Sequence, residues 1–334
     1  MGMNIVVIST ASLQSPPEGG GYAGIERVAA LCARGLLERG HHVALVAKRG
    51  SNNPFGYELI EVDKDSEVVE MLSAINERMG GVDVYIDYSH DKLLSLFDSS
   101  LPIISVYQVM SATGVPVNPV CISHGQHDTK MPQLNAEIIY QPIDLDEFVP
   151  NYEERKNFFL YMGQKIPEKQ VHFACEVAIN TGLPLIVRGP GWGDPSYHDR
   201  LRKYQEDYPD LITIGGEAAG QERLDLIREA KLLIHPVGGM GWCESGGIIV
   251  LEALASGTPV VVSRNGALPE YVVDNYNGYV CDSQDDMEYA VYKILNERPL
   301  VQHCRRSVEP FAYQKIAQQY ESLCERVARG ERWG

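Results

Sequence analysis

The sequence predicts an α/β protein built on two doubly wound parallel sheets. Three observations predict it. Short apolar runs alternate with helical stretches along nearly the whole chain, the order that builds strand–helix–strand units. Several of these runs end in glycine-rich turns, at 19–21, 189–191, 215–216 and 238–247. The length, 334 residues, suffices for two domains of ordinary size.

The first strand is Asn4 to Ser9, followed by the Gly19–Gly21 loop. From Gly24 to Gly40 the residues Ile25, Val28, Ala29, Leu31, Cys32, Leu36 and Leu37 recur at helical spacing, and Gly40 stops the helix. His42 to Ala47 is the second strand. Tyr57–Val62, Asp83–Tyr88, Ile103–Tyr107, Val120–Ser123 and Glu137–Tyr140 are expected as strands, with one helix over Ser66–Met79. His90 follows DVYIDYS at the carboxyl end of a strand, where α/β folds place ligands. It is a candidate site residue; the plainer reading is a loop histidine bonded to Asp91. His124 follows VCIS at the carboxyl end of another strand, with His127 nearby.

Pro142 and Pro150 break the chain. Asn157–Met162, Leu185–Arg188, Leu211–Ile214, Lys231–His235, Pro259–Ser263 and Gly278–Cys281 then read as strands. Gln221–Ala230, Asp285–Asn296 and Ala312–Arg329 read as helices, and so does about Gly247 to Ser256, stopped by Gly257 and Pro259.

Composition bounds the partners. Hydrophobic residues make up 44% of the chain, and no run of 18 apolar residues exists, so no membrane-spanning helix is expected. MGMNIVVIST enters a strand without a basic leader or cleavage site, which argues against a signal peptide. The seven cysteines are scattered, odd in number and without a C-x-x-C pair; they read as reduced thiols of a cytoplasmic protein, not as a disulfide framework or zinc site. A net charge of −16 argues against nucleic acid or an anionic membrane surface as partner.

The stretch IHPVGGMGWCESGGIIVLEALASGTPVVVSRNGALPEYVV, 234–273, carries the chemistry. Glu244 and Glu252 have seven residues between them, one in the loop before a helix and one inside its apolar sequence. A buried Glu is costly unless paired or hydrogen-bonded. Between them Gly246, Gly247 and Ile248 open the helix, where bare backbone N–H groups favour an anion. The pattern suits a phosphate at the helix start with a carboxylate on each side to accept from hydroxyl groups, the chemistry of a nucleotide sugar. The plainer reading is a glycine-rich turn with a solvated Glu244 and Glu252 on the wet face of the helix.

This stretch resembles the E-x7-E motif of the family 4 retaining glycosyltransferases, including LEALASGTPVV and the NGALPEYV turn. The resemblance is fair over 157–178 and 19–40 and thin over 41–135. It implies the GT-B fold, with two Rossmann-like domains facing each other across a cleft. Residues 1–142, with a returning C-terminal helix at about 312–334, would bind the acceptor. Residues 143–311 would bind the nucleotide sugar, with IIYQPIDLDEFVP as the linker and Phe311 before the return crossing. GGGYAGIER matches the family's loop over the donor phosphates, making Gly20 and Gly21 candidates. GQKIPEKQ resembles its diphosphate element: Lys169 matches the lysine, Gln164 stands where the arginine is expected, and Lys165 beside it offers a substitute charge. Gly189 lies in a turn that resembles the nucleobase cradle. After the PIIS strand, Gln108 stands where a histidine is often found, and a Gln donates a hydrogen bond but is no base.

The resemblance therefore implies a retaining, metal-independent hexosyl transfer from a nucleoside diphosphate sugar, with UDP- or GDP-sugars foremost, to a small-molecule or glycan hydroxyl. Glu244 would orient the sugar, His90 and Gln108 would serve the acceptor side, and Glu252 would take the ribose hydroxyls. No further cofactor is implied. With nine Lys and Arg against sixteen Asp and Glu in residues 1–142, a soluble acceptor is favoured over a membrane one. The alternatives are a non-catalytic nucleotide-sugar binder and a nucleotide-sugar epimerase of the same fold.

Overall fold

The computed structural model describes residues 2–16, 21, 23–109, 115–152, 155–191, 193–297 and 301–334. Gly20, a candidate from the sequence, lies outside them. The chain divides into two units, Met1–Ile143 with Pro310–Gly334, and Asp144–Glu309.

In the first unit the apolar runs become β1 (Asn4–Ile8), β2 (His42–Lys48), β3 (Glu58–Val62), β4 (Val84–Asp87), β5 (Ile103–Tyr107), β6 (Pro119–Cys121) and β7 (Glu137–Ile138). They form one parallel sheet in the order β3-β2-β1-β4-β5-β6-β7. In the second unit β8 (Phe159–Met162), β9 (Leu185–Arg188), β10 (Ile212–Ile214), β11 (Leu232–His235), β12 (Val260–Ser263) and β13 (Gly278–Cys281) form another, in the order β10-β9-β8-β11-β12-β13. Central strands such as β5, β8 and β11 are buried at every position, which is why they read as unbroken apolar runs and not as alternating ones. In both sheets the winding reverses beside the first strand, between β1 and β4 and between β8 and β11. Ligands of open α/β sheets bind at the carboxyl ends of strands at such a reversal.

Several elements differ from the sequence expectation. The helix expected over Ser66–Met79 is two, Ser66–Glu70 and Leu72–Arg78. Met71 between them has ψ −5°, yet the hydrogen bonds run through, Met71 N–H to Glu67 O at 2.9 Å and Ile75 N–H to Met71 O at 2.8 Å. His124 and His127 lie on a short helix, His124–Lys130, started by Ser123, whose hydroxyl accepts from Gln126 N–H. Pro195–Asp207 is a helix that the sequence did not announce: only Tyr197 and Leu201 are buried along it, so its apolar period is weak.

The end of the chain belongs to the first unit. Helix Tyr313–Ala328 packs on helix Gly24–Glu38, and the Tyr313 hydroxyl donates to Glu38 at 2.9 Å. Trp333 exchanges backbone and side-chain hydrogen bonds with Asn118 and donates Nε1–H to Pro119 O at 3.0 Å. The two helices touch at Gly35, where an added Cβ would lie 2.5 Å from Ala317 Cβ and 3.2 Å from Tyr313 O. Gly35→Ala is therefore expected to lower stability by about 1–3 kcal/mol through overpacking, despite alanine's better helix propensity. Urea unfolding checks this, and adding Ala317→Gly should recover most of the loss; additive losses would place the effect elsewhere.

Candidate functional site

The site grows from the carboxyl ends of β8 and β11. After β8 the chain turns through Gly163, Gln164 and Lys165 into a short 3-10 turn, Pro167–Lys169, which points Lys169 back across the sheet end. After β11 it runs through Pro236 and the glycine loop to Glu244. There the Lys169 ammonium bonds the Glu244 carboxylate, and both side chains are nearly buried. The Trp242 ring lies beside the ammonium, 5.2 Å from its centroid.

The loop carrying Glu244 is fixed by Asn265, from the turn after β12. Asn265 accepts from Glu244 N–H at 2.7 Å and donates to Trp242 O at 2.8 Å. Glu244 O in turn accepts from Ala267 N–H at 2.8 Å. Gly247 starts helix Ile248–Ala255 with φ 58°, a conformation that favours glycine, and an added Cβ would lie 2.6 Å from Leu268. Its N–H points at Glu244 Oε1, 3.3 Å away. Glu244 thus lies at the positive end of the helix, next to Lys169. Burial raises the pKa of its carboxyl, but the Lys169 ammonium and His235 outweigh this and hold it well below the carboxylate range.

His235, the last residue of β11, was not picked out from the sequence. Its Nε2 lies 3.7 Å from Glu244 Oε2, beyond hydrogen-bond reach, and its ring stacks on Tyr161 at 6.0 Å. It is 2% exposed, and burial pushes its pKa down against the pull of Glu244. The strand-end rule that flagged His90 would have found it. Arg223 was also missed. It comes from helix Gly220–Glu229 and bonds Glu252, which is fully buried inside its own helix. No local signal marks Arg223, because on its own helix it reads as one more polar residue.

The other candidates are placed as follows. Lys165 is buried, and its ammonium bonds Gly189 O at 2.5 Å and Gly215 O at 2.7 Å. Gln164 O accepts from the Tyr161 hydroxyl at 2.8 Å. Gly246 and Ile248 lie at the helix start with Gly247. In the first unit, Gly21 O accepts from Arg27 at 3.4 Å, and His90 is exposed on the loop after β4. Gln108 is buried just after β5, where its Oε1 accepts from Gln141 Nε2 at 2.8 Å. The structure thus joins Gln108, where the sequence departs from the family's pattern, to Gln141 at the start of the linker. Asp144 Oδ1, in the linker, accepts from Asp146 N–H at 3.0 Å. Among the described residues no group of three His, Cys, Asp or Glu could hold a metal, and no helix is long and apolar enough to cross a membrane.

Two open parallel sheets, each with a winding reversal, are the architecture of the GT-B class. The structure of AviGT4, a glycosyltransferase involved in avilamycin A biosynthesis, superposes with a TM-score of 0.84 at 28% identity, over 99% of this chain and 100% of that one. A HepE structure from Anabaena in complex with UDP-glucose superposes with a TM-score of 0.73 at 14% identity, over 97% and 100%. The family described as Glycosyl transferases group 1 matches residues 143–309, and the chain belongs to it. The D-inositol 3-phosphate glycosyltransferase of Mycolicibacterium smegmatis is 28% identical over 181 residues, 49% of this chain and 40% of that protein. The chain spans about half the length of the curated relatives it matches.

The pair at the site has a pH signature. The folded-state pKa of Glu244 lies below that of an unfolded Glu, about 4.3. The pair's stabilisation is thus fully present above that value and is lost as pH falls toward the folded-state pKa. Glu244→Gln leaves a nearly buried ammonium without its counter-charge and should cost about 3–5 kcal/mol near neutral pH. Urea unfolding of both proteins should show this gap shrinking between about pH 5 and about pH 3; a gap independent of pH would mean the pair does not hold Glu244 ionised.

Proposed function

We propose that the protein is a retaining glycosyltransferase that moves a hexosyl group from a nucleoside diphosphate sugar, UDP- or GDP-linked, to an acceptor hydroxyl without a metal. One observation carries the reading: Lys169 and Glu244 meet beside the open helix start at Gly246–Ile248, at the β8/β11 reversal. The UDP-glucose complex of the Anabaena relative, the group 1 family match and the E-x7-E resemblance support it.

The chemistry follows from the charges. A diphosphate arriving at the helix start competes with Glu244 for Lys169. Lys169 and the backbone N–H groups of the helix start then stabilise the negative charge that builds as the glycosidic C–O bond breaks, and they do so already oriented. Gln164 adds neutral donors where an arginine would add charge. Glu244, released from Lys169, accepts hydrogen bonds from the sugar hydroxyls and orients the ring. The departing phosphate oxygen takes the proton of the acceptor hydroxyl, which attacks from the same face, so the anomeric configuration is kept and no protein base is required. Glu252, oriented by Arg223, serves the ribose hydroxyls. His90 and Gln108, at the carboxyl ends of β4 and β5, serve the acceptor, a small molecule or glycan.

Thermal denaturation with UDP and GDP tests the donor site. At 100 times its dissociation constant the correct nucleotide should stabilise the fold by about 2.7 kcal/mol, and Lys169→Met should abolish most of the shift. Proton NMR of the transfer product, formed in the presence of a chelator, should show the donor's own anomeric configuration. No shift with either nucleotide would sink the donor assignment, and an inverted product would sink the mechanism alone.

A further inference from the structure

Lys165 was singled out as a substitute phosphate charge, but its ammonium is engaged elsewhere. It reaches sideways along the sheet, to the carbonyls that follow β9 and β10, and away from β11 and the helix start. Strand order puts β8 and β9 between β10 and β11, and neighbouring strands are about 4.8 Å apart, so Gly215 O lies on the order of 14 Å along the sheet from the end of β11.

Three loops converge at this point. Gly163 N–H donates to Arg188 O at 2.9 Å, Lys165 N–H to Pro190 O at 3.0 Å, and Gly189 N–H to Gly216 O at 3.1 Å. Gly189 has φ 141°, and an added Cβ would lie 2.0 Å from Gly163 O, so the loops after β8 and β9 are in backbone contact. An ammonium has three donors and no acceptor, which suits converging carbonyls at strand ends. It is 8% exposed, and burial, with Arg188 nearby, pushes its pKa down. A buried ammonium is costly unless polar groups solvate it, and here the two carbonyls do so.

We propose that Lys165 is a positioning residue for nucleobase recognition: by bonding Gly189 O and Gly215 O it fixes the two loops against which the base of the donor rests, and it contributes nothing to the diphosphate. The inference rests on the nucleotide-sugar reading above. With the phosphates at the helix start after β11, a base laid across the ends of β8 and β9 would reach the carbonyls that Lys165 holds.

The test compares uridine with UDP and guanosine with GDP by calorimetry, on the wild type, Lys165→Met and Lys169→Met. Lys165→Met should weaken the preferred nucleoside and its diphosphate by the same factor, roughly three- to tenfold, the worth of one or two misplaced hydrogen bonds. The gain of diphosphate over nucleoside should be unchanged. Lys169→Met should remove that gain and spare the nucleoside. If Lys165→Met weakens only the diphosphate, or weakens neither, the proposal is overturned while the donor site stands. If the wild type binds none of the four, the donor reading fails and takes the proposal with it. Should Lys165→Met not fold, Lys165→Gln keeps a donor and drops the charge: a retained diphosphate gain supports the proposal, and its loss overturns it.

Discussion

Lys169 and Glu244 share a site too dry for either charge alone. An ammonium or carboxylate without water must find its counter-charge or neutralise. Their meeting requires a turn after β8, the glycine loop after β11 and the Asn265 turn after β12 to hold station together. The rigid parallel sheet makes that possible, since all three loops leave from neighbouring strand ends. Under the proposed function these two opposite charges, already in place, part around a ligand carrying both phosphate and hydroxyls.

Buried lysines recur as struts in both units. Lys92, with φ 49°, folds the loop after β4 around its own ammonium, which bonds Asp87 O at 3.1 Å and also Ser89 O. Lys165 does the same for the loops after β9 and β10. Where parallel strands end, their last carbonyls lose the ladder partner, and an ammonium on a flexible stem can gather several at once. The cost is a desolvated charge, visible in the lowered pKa of both lysines, for which burial is the leading cause. Such a lysine looks from sequence like a surface cation.

Much of the fold was legible because its signals are local. The unbroken apolar runs of β5, β8 and β11, the helical period of Gly24–Glu38, and the stop at Gly257 and Pro259 follow from burial on two faces, burial on one face, and backbone restriction. Helix Pro195–Asp207 was not legible, because it buries too few residues to show a period. At the site, Glu244 and Glu252 stood out by their place around a helix start. Arg223 and Asn265 did not, because what they do depends on residues 29 and 21 positions away along the chain.

By itself, then, the sequence determined the class of fold and marked two carboxylates around a helix start as a candidate site, because periodicity, glycine turns and strand ends are written in neighbouring residues. Only the tertiary structure decided the partners: that Glu252 is buried with Arg223, that Gln108 and Gln141 bond each other, and that Lys165 serves carbonyls while Lys169 serves Glu244. Lys165 and Lys169 differ by four positions in one short segment and carry the same group. What separates their tasks is the direction in which each ammonium leaves the end of β8, toward β9 and β10 or toward β11, and strand order is a property of the folded sheet alone.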